Sequence, residues 1–324
     1  MKMKSKIYTN NVFVTSRSFS ENIFLKKKLL KLYPNAQFNF TGSKIKSSDL
    51  INICKNYNKL IIGLDVINTN ILKHLPNLKV ISKYGVGLDK IKLQELKKFN
   101  IKLGFKIGVN KRSVSELTLS MILNLSRQLI IHNNFMKNNT SKQIIGSELT
   151  DKTIGIIGAG SIGQDLIKLL QPFNCRIIIN DIRSINKYKN NPNIIQKSLK
   201  YLLSKSDIIT VHTPLNSKTI NLINSDNLKI IKNGCFIINC ARGGIINEIN
   251  LYQHLMINKK TMVFFDVFEK EPPFNNKLLS LNNFFSTPHI GGTSEEAIVK
   301  MGLAAIEGLD KHVNINKLLD LGYE

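Results

Sequence analysis

Cysteine and long apolar runs are scarce in this sequence. Its 324 residues include four cysteines, and no two of them have the Cys-x-x-Cys spacing of many zinc and redox sites. We therefore expect buried free thiols and no metal site. No apolar run approaches the roughly 18 residues of a membrane-spanning helix, and none follows the lysine-dotted N-terminus as it would in a signal peptide. These absences predict a cytoplasmic protein.

Acidic residues are also few. The chain has 22 Asp and Glu residues against 46 Lys and Arg, a formal net charge of +24. The lysines are scattered among Asn and Ile residues, and no basic run is interleaved with aromatic residues as in many nucleic-acid-binding proteins. We interpret the charge as a solvated basic surface that attracts anionic substrates, and we expect no nucleic-acid and no membrane partner.

The most informative stretch runs from Thr153 to Asp181. A β-branched run ends at Gly158, apolar residues then recur at helical spacing over 162–170, and a second apolar run ends at Asp181. This pattern predicts a strand, a tight turn, a helix and a second strand.

The glycines of this turn fit a dinucleotide site. Gly158 allows the tight turn, Gly160 lets a pyrophosphate approach the backbone, and Gly163 lets the helix pack closely on the strand. The amides at the helix start then face the phosphates. Asp181, roughly 20 residues on, is placed to accept hydrogen bonds from the ribose hydroxyls and to repel a 2′-phosphate. The spacing predicts NAD, while Arg183 keeps NADP as an alternative.

Short apolar strands alternate with helical segments on both sides of this stretch, which predicts parallel sheets covered by helices. In the first hundred residues the predicted strands are 12–14, 36–40, 60–62, 78–82 and 101–105, and the predicted helices are 21–32, 47–54, 71–75 and 92–99. A capping box at Ser113 to Glu116 predicts the start of an apolar helix, and Thr293 with Glu296 predicts the start of the last helix. The length suits about two domains.

Polar or glycine-containing loops follow several predicted strands. They are 83–89, 212–215, 240–244, 266–273 and 286–292. Because ligands of open parallel sheets bind outside the carboxyl ends of strands, we expect the loops after Asp181 to converge on one crevice. The two glycines at 85 and 87 can turn backbone amides towards a small anion, although a plain strand-to-helix loop is the alternative.

Three residues of these loops offer acid–base and carboxylate-binding chemistry. The guanidinium of Arg242 can hold a carboxylate with two hydrogen bonds. Glu271 and His289 form an acid–base pair if they meet, since a carboxylate stabilises an imidazolium. Taken singly, Arg242 can be a surface ion-pair partner, Glu271 a turn residue and His289 a satisfied loop histidine. His212 is a second acid–base candidate, but Pro214 and Leu215 after it suit a wall beside the adenine.

Together these motifs resemble the D-isomer-specific 2-hydroxyacid dehydrogenase family, and within it the phosphoglycerate-dehydrogenase-like branch. The matching pieces are YGVGLD (84–89), VN (109–110) with SVSE (113–116), GAGSIG (158–163), VHTPL (211–215), NCARGG (239–244), DVFEKEP (266–272) and TPHIGG (287–292).

The resemblance implies roles for individual residues. Arg242 binds the substrate carboxylate and carbonyl, His289 is the acid–base residue, and Glu271 orients it. The backbone of Val86 and Gly87 receives the carboxylate. The implied cofactor-binding residues are Gly158, Gly160, Ser161, Ile162, Gly163, Asp181, His212, Thr213, Pro214, Cys240, Ala241, Asp266 and Gly291.

The resemblance also implies the architecture: two Rossmann-like, doubly wound parallel-sheet domains of the α/β class, with the dinucleotide domain inserted into the substrate domain. Residues 1–104 plus 291–324 form the substrate domain, and residues 105–290 form the NAD-binding domain. A homodimer built through the NAD-binding domains is likewise implied.

The substrate predicted from this branch is 3-phosphoglycerate, oxidised to 3-phosphohydroxypyruvate in serine biosynthesis. A phosphoglycerate enzyme needs cations near the far end of its substrate, but the loop after Ile62 contains Asp65 and no arginine. Hydroxypyruvate, glyoxylate or another 2-keto acid is therefore the alternative substrate. The cations available for a phosphate are Lys44, Lys46 and Lys83. Because the chain ends at residue 324, we expect no C-terminal regulatory domain and no serine feedback. A reading of another class, a dinucleotide-sensing co-repressor-like protein, has only the positive charge in its favour.

Overall fold

The computed structural model describes residues 11–41 and 45–323, apart from the side chain of Ser47. The chain forms two compact units. The first comprises the segment up to Asn110 together with the segment from Gly292, and the second comprises Lys111–Gly291. The boundaries lie a few residues from the predicted ones, because Phe105 belongs to the core of the first unit whereas Gly291 is hydrogen-bonded to Asp266 in the second.

The first unit contains one five-stranded sheet in the order β2-β1-β3-β4-β5, and all its strand pairs are parallel. Its strands are β1 (Val12–Val14), β2 (Gln37–Phe38), β3 (Lys59–Ile62), β4 (Val80–Lys83) and β5 (Lys102–Gly104). Its helices are α1 (Arg17–Glu21), α2 (Ile23–Leu32), α3 (Ser47–Cys54), α4 (Thr69–Lys73), α5 (Leu93–Lys98), α12 (Glu295–Glu307) and α13 (Ile315–Asp320).

Helices cover both faces of this sheet. Leu60 and Ile62 of β3 belong to the same apolar cluster as α3, α4 and α5, whereas Ile61 between them belongs to the cluster that contains α1, α2 and α12. Successive side chains of a strand point to opposite faces. Alternate residues of β3 therefore pack against two separate layers of helices, one on each face of the sheet.

The second unit is built around a seven-stranded parallel sheet in the order β12-β11-β10-β9-β6-β7-β8. Its strands are β6 (Thr153–Ile157), β7 (Arg176–Asn180), β8 (Ile194–Gln196), β9 (Ile208–Val211), β10 (Phe236–Asn239), β11 (Met262–Phe265) and β12 (Phe284–Ser286). Its helices are α6 (Lys111–Arg127), α7 (Leu129–Lys137), α8 (Ser161–Leu170), α9 (Leu199–Lys205), α10 (Ser225–Lys229) and α11 (Glu248–Ile257).

The strand order reverses between β6 and β9. From β6 the chain proceeds through β7 to β8 on one side and then returns to β9 on the other side. Such a switch point opens a crevice at the carboxyl ends of the strands. α6 and α8 pack on one face of the sheet, and α9 and α11 pack on the other. The two sheets confirm the predicted α/β, doubly wound fold class.

Several predicted helix starts differ from the observed ones, and three of them have a clear cause. The predicted helix 21–32 is two helices, since the side chain of Asn22 accepts a hydrogen bond from Leu25 N and begins a new helix. α6 begins at Lys111, so Ser113 lies inside the helix and donates its hydroxyl proton to Gly291 O instead of capping. Ser294, not Thr293, caps α12 by accepting from Ala297 N.

Candidate active site

The turn after β6 requires glycine at two of the three predicted glycine positions, because a Cβ would clash there. Gly158 has a φ of +91°, and a Cβ there would lie 2.8 Å from the carbonyl carbon of His212. At Gly163 a Cβ would lie 2.3 Å from the carbonyl oxygen of Gly158. Both positions therefore exclude a side chain. At Gly160, by contrast, the nearest described atom beyond the chain neighbours of a Cβ would be Arg183 Nη2, at 4.0 Å, so this backbone is open to a ligand.

Among the residues that the structure describes, no side chain caps the start of α8. Gly160 is its N-cap, and Ser161 and Ile162 open its first turn. Uncapped amides at the start of a ten-residue helix carry a partial positive charge and bind anions well. The open Gly160 and the uncapped helix lie side by side.

Asp181 directly follows β7 and faces this turn. Its Oδ2 accepts from Ala159 N at 2.8 Å, and its Oδ1 accepts from Arg183 N at 2.9 Å and from Arg183 Nε at 3.0 Å. Partial burial tends to raise the pKa of Asp181, but the hydrogen bonds from Arg183 and Ala159 and the charge of Arg183 hold it below its ordinary value. Arg183, the residue that kept NADP as an alternative, is thus paired with Asp181, the residue that favours NAD.

The loop after β9 presents two buried polar atoms. Thr213 Oγ1 and His212 Nδ1 have no hydrogen-bond partner among residues 11–41 and 45–323, and His212 Nε2 lies 2.9 Å from Thr210 Oγ1. Burial lowers the pKa of His212 to about 3. Its imidazole is therefore neutral at neutral pH, which disfavours His212 as a proton donor. A buried polar atom without a partner in the protein fits a ligand-binding role.

These features fit NAD. The open glycine and uncapped helix suit a pyrophosphate, an ionised carboxylate suits ribose hydroxyls, and the unpartnered Thr213 hydroxyl lies at the carboxyl end of the neighbouring strand. All of them lie at the switch point of the sheet, where such ligands bind.

The loop after β10 carries Cys240, Ala241 and Arg242. Asn239 fixes this turn, since its Oδ1 accepts from Ala241 N at 3.0 Å and its Nδ2 donates to Arg242 O at 2.9 Å. Burial raises the pKa of the Cys240 thiol to about 12, so it is not a thiolate nucleophile. A Cβ on Gly243 would lie 1.9 Å from the carbonyl carbon of Phe268, so this loop packs directly on the loop after β11.

Glu271 and His289 meet as predicted. Glu271 Oε2 lies 2.8 Å from His289 Nδ1, and Glu271 Oε1 accepts from Phe268 N at 3.2 Å. Partial burial tends to raise the pKa of Glu271, but the hydrogen bond and charge of His289, the Phe268 amide and the charge of Arg242 hold it below its ordinary value. Glu271 is therefore ionised at neutral pH, and the contact leaves His289 Nε2 available for a ligand.

Asp266 holds the loop that carries His289. Its Oδ1 accepts from Thr287 Oγ1 at 2.6 Å and from Ile290 N at 2.7 Å, and its Oδ2 accepts from Gly291 N at 2.8 Å. His289 has a φ of +58°, a conformation that a residue without glycine's freedom adopts only under constraint. Asp266 was predicted beside the cofactor, whereas this supporting role was missed. The feature of the sequence that could have indicated this role is the position of Asp266 directly after a buried strand, as Thr287 is placed directly after the next one.

The predicted carboxylate-binding residues Val86 and Gly87 lie in the first unit, in the loop after β4. Gly85 before them has a φ of +123°, and a Cβ there would lie 3.7 Å from Lys83 Nζ. Lys83 is buried and donates to Gly63 O. Asp65 is also buried and accepts from Thr15 Oγ1 at 2.5 Å and Gly63 N at 3.1 Å.

Two other cations were predicted near a phosphate. Lys46 is exposed at the start of α3, and Lys44 lies outside the described residues.

All four cysteines are buried and free. Within the described ranges, no helix combines the length and the apolar character needed to cross a membrane.

Comparison with known proteins decides the family. The family model for the D-isomer specific 2-hydroxyacid dehydrogenase, NAD binding domain, matches residues 119–291, more than half of the chain and within the second unit. The chain belongs to the D-isomer-specific 2-hydroxyacid dehydrogenases. It is an NAD-dependent enzyme of this family, and the predicted family, enzyme class and cofactor are confirmed.

Relatives of this dehydrogenase act on different acids. A hydroxypyruvate reductase of Thermotoga maritima is 33% identical over 90% of this chain and 96% of its own length. A D-3-phosphoglycerate dehydrogenase of Methanocaldococcus jannaschii is 33% identical over 76% of this chain, but the match spans only 47% of that relative. The D-lactate dehydrogenase of Aquifex aeolicus, solved with NAD and lactic acid, has a TM-score of 0.81 at 26% identity and covers 92% of this chain and 93% of its own.

Proposed function

We propose that this dehydrogenase reduces a short, unphosphorylated 2-keto acid, with hydroxypyruvate and glyoxylate as the leading substrates, to the corresponding D-2-hydroxy acid. The observation that carries the proposal is the buried carboxylate of Asp65 in the loop after β3, the loop in which the family resemblance implies a cation for a phosphorylated substrate. Lys83, at the end of β4, is buried and donates a hydrogen bond to Gly63 O. A dianionic phosphate next to Asp65 is disfavoured by like charge.

Within this proposal the acid–base chemistry belongs to the second unit. NADH supplies the hydride that is transferred to the keto carbon. His289 donates a proton from Nε2 to the keto oxygen, and Arg242 binds the carboxylate with two hydrogen bonds. Ionised Glu271 stabilises the imidazolium before the proton is transferred. By the family resemblance, the amides of Val86 and Gly87 in the first unit are also proposed to bind a substrate carboxylate.

The proposed cofactor contacts follow the features of the second unit. Residues 158–163 bind the pyrophosphate, Asp181 binds the ribose hydroxyls, and residues 212–214 line the adenosine side. The loops with Cys240, Ala241, Asp266 and Gly291 flank the nicotinamide. The apolar thiol of Cys240, which burial keeps protonated, suits the face of an uncharged ring.

Oxidation of 3-phosphoglycerate is the second candidate. It is supported by the match to the phosphoglycerate dehydrogenase of M. jannaschii and by Lys83, whose Nζ lies 3.7 Å from the position that a Cβ on Gly85 would take. An ammonium group at that place contributes positive potential to the loop that is proposed to bind an anion. This candidate requires Lys83 to serve the phosphate from a buried position.

Initial rates decide between the candidates. Hydroxypyruvate, glyoxylate and phosphohydroxypyruvate are offered in turn, with NADH and with NADPH, and the nicotinamide absorbance is followed. We expect kcat/KM for an unphosphorylated acid to exceed that for phosphohydroxypyruvate by about tenfold or more, the discrimination that about 1.4 kcal/mol of charge repulsion gives. A preference for phosphohydroxypyruvate contradicts the proposal.

A pair of variants tests the role of Asp65. Asp65→Asn keeps one acceptor oxygen but removes the charge, so it should raise the rate with phosphohydroxypyruvate relative to hydroxypyruvate. The matched control is Asp49→Asn, which removes an exposed charge from α3 of the same unit. It should leave the ratio unchanged.

A further inference from the structure

Glu248, the first residue of α11, binds the loop that carries Glu271 at two places. Its Oε1 accepts a hydrogen bond from Glu269 N at 2.7 Å, and its Oε2 accepts one from Asn276 Nδ2 at 2.6 Å. These two partners lie on either side of Glu271 in the sequence. One carboxylate therefore fastens both ends of the 269–276 segment to the start of a helix.

The first of these contacts is adjacent to the contact that orients Glu271. Phe268 N donates to Glu271 Oε1 at 3.2 Å, and the next amide, Glu269 N, donates to Glu248. Two consecutive amides of one turn are thus divided between two carboxylates. A rotation of this turn away from Glu248 also rotates the amide that holds Glu271 towards His289.

The second contact fixes the far end of the segment. Asn276 Oδ1 accepts from Leu278 N at 3.0 Å and caps a short 3-10 helix, which leaves Asn276 Nδ2 to donate to Glu248. Glu248 itself lies in the first turn of α11, where the helix dipole favours a negative charge. The carboxylate is therefore anchored on a rigid element.

We propose that Glu248 is a positioning residue of the reaction: by fixing the turn at Phe268 and Glu269, it sets the distance between Glu271 and His289. The inference rests on the proposed role of His289 as the proton donor. Glu248 touches neither the pair nor, by this proposal, the substrate, so its effect passes entirely through the loop.

Glu248→Gln tests the inference with little change of shape. A glutamine has one acceptor oxygen where the carboxylate has two, and its NH2 group faces a donor, so one of the two contacts is lost. We expect kcat for keto-acid reduction to fall about tenfold, which is part of the roughly 100- to 10,000-fold that acid–base catalysis contributes. The KM for NADH should stay within about twofold, since residues 158–163 and 181 are unaffected.

The pH profile separates positioning from simple loss of folded protein. The charged groups that face Glu271 are His289 and Arg242, and together with the Phe268 amide they keep its pKa low. If the turn moves, Glu271 loses part of this stabilisation, and its protonation shifts to higher pH. The acid limb of kcat/KM for reduction should therefore move to higher pH in Glu248→Gln. A lower folded fraction alone would scale the profile without moving it.

Two further variants complete the experiment. Asn276→Asp keeps the acceptor for Leu278 N but places a second carboxylate against Glu248, so it should move the acid limb in the same direction. It also decides the matter if Glu248→Gln does not fold. The control is Asp226→Asn in the first turn of α10, where the acid is 82% exposed and pairs with Lys229. It should leave both kcat and the profile unchanged.

The outcomes are distinct. An unmoved acid limb in both Glu248→Gln and Asn276→Asp, with an active wild-type enzyme, overturns the inference and leaves the proposed function standing. A wild-type enzyme that reduces no 2-keto acid overturns the proposed function and the inference with it. A shift in both variants and none in Asp226→Asn supports the inference.

Discussion

Gly243→Ala should separate the loop that carries Arg242 from the loop that carries Glu271. A Cβ at this position would lie 1.9 Å from the carbonyl carbon of Phe268 and 2.2 Å from Glu269 N, whereas ordinary contacts begin at 3.4 Å. The neighbouring atoms are backbone, so no side-chain rotation relieves the overlap. The two loops must move apart by about 1.5 Å, the difference between the two distances.

A displacement of this size affects catalysis more than stability. Overpacking of this kind costs about 1–3 kcal/mol of the free energy of unfolding. A misplacement of about 1 Å in the catalytic geometry lowers the rate about 100-fold. We therefore expect kcat for keto-acid reduction to fall about 100-fold, while the KM for NADH rises much less, since residues 158–163 and Asp181 lie outside the two loops that move.

Gly244→Ala is the matched control. Gly244 has a φ of +82°, so alanine there is strained by about 1–2 kcal/mol, but its Cβ would find its nearest atoms at an ordinary 3.7 Å. Both variants should lose similar stability in urea unfolding, and only Gly243→Ala should lose kcat in initial-rate assays. A Gly243→Ala enzyme with wild-type kcat would show that the contact between the two loops does not matter for catalysis.

Three further predictions concern the acid–base pair, the cofactor and the assembly. His289→Asn should abolish turnover yet bind NADH normally by fluorescence titration; unchanged turnover removes His289 from the mechanism. Because the pKa of Glu271 is lowered by folding, the pair stabilises the fold above the ordinary pKa of about 4.3, and this is lost as pH falls through the lowered value; Glu271→Gln should be less stable at pH 6 and equal at the acid end of a denaturation series. Light scattering should give twice the chain mass, since the second unit exposes Leu129 and Met136 of α7 by 55% and 68%; a monomer contradicts the predicted homodimer.

Much of the fold could be predicted from the sequence because its strands are marked locally. The first strand was predicted at its observed bounds, and the turn at Gly158 to Gly163 was assigned from spacing alone, since its steric needs involve residues close in the chain. Helix starts were less predictable. In this asparagine-rich chain many asparagines occupy loops, and only tertiary structure decides that Asn22, Asn68 and Asn224 are caps.

In the candidate site, the functional residues could be predicted from the sequence, whereas the residues that hold them in place could not. Arg242, Glu271 and His289 could be named because each follows a strand, and parallel strands end at one edge of a sheet. The groups that hold them could not be named. Asp266 reaches Ile290 across 24 positions, and Glu248 reaches Asn276 across 28. Such contacts depend on how loops from different strands pack, and no periodicity or spacing in the sequence records that. The supporting carboxylates therefore emerge only from the structure, and it is at these positions that variants distinguish a positioned site from one whose residues are merely present.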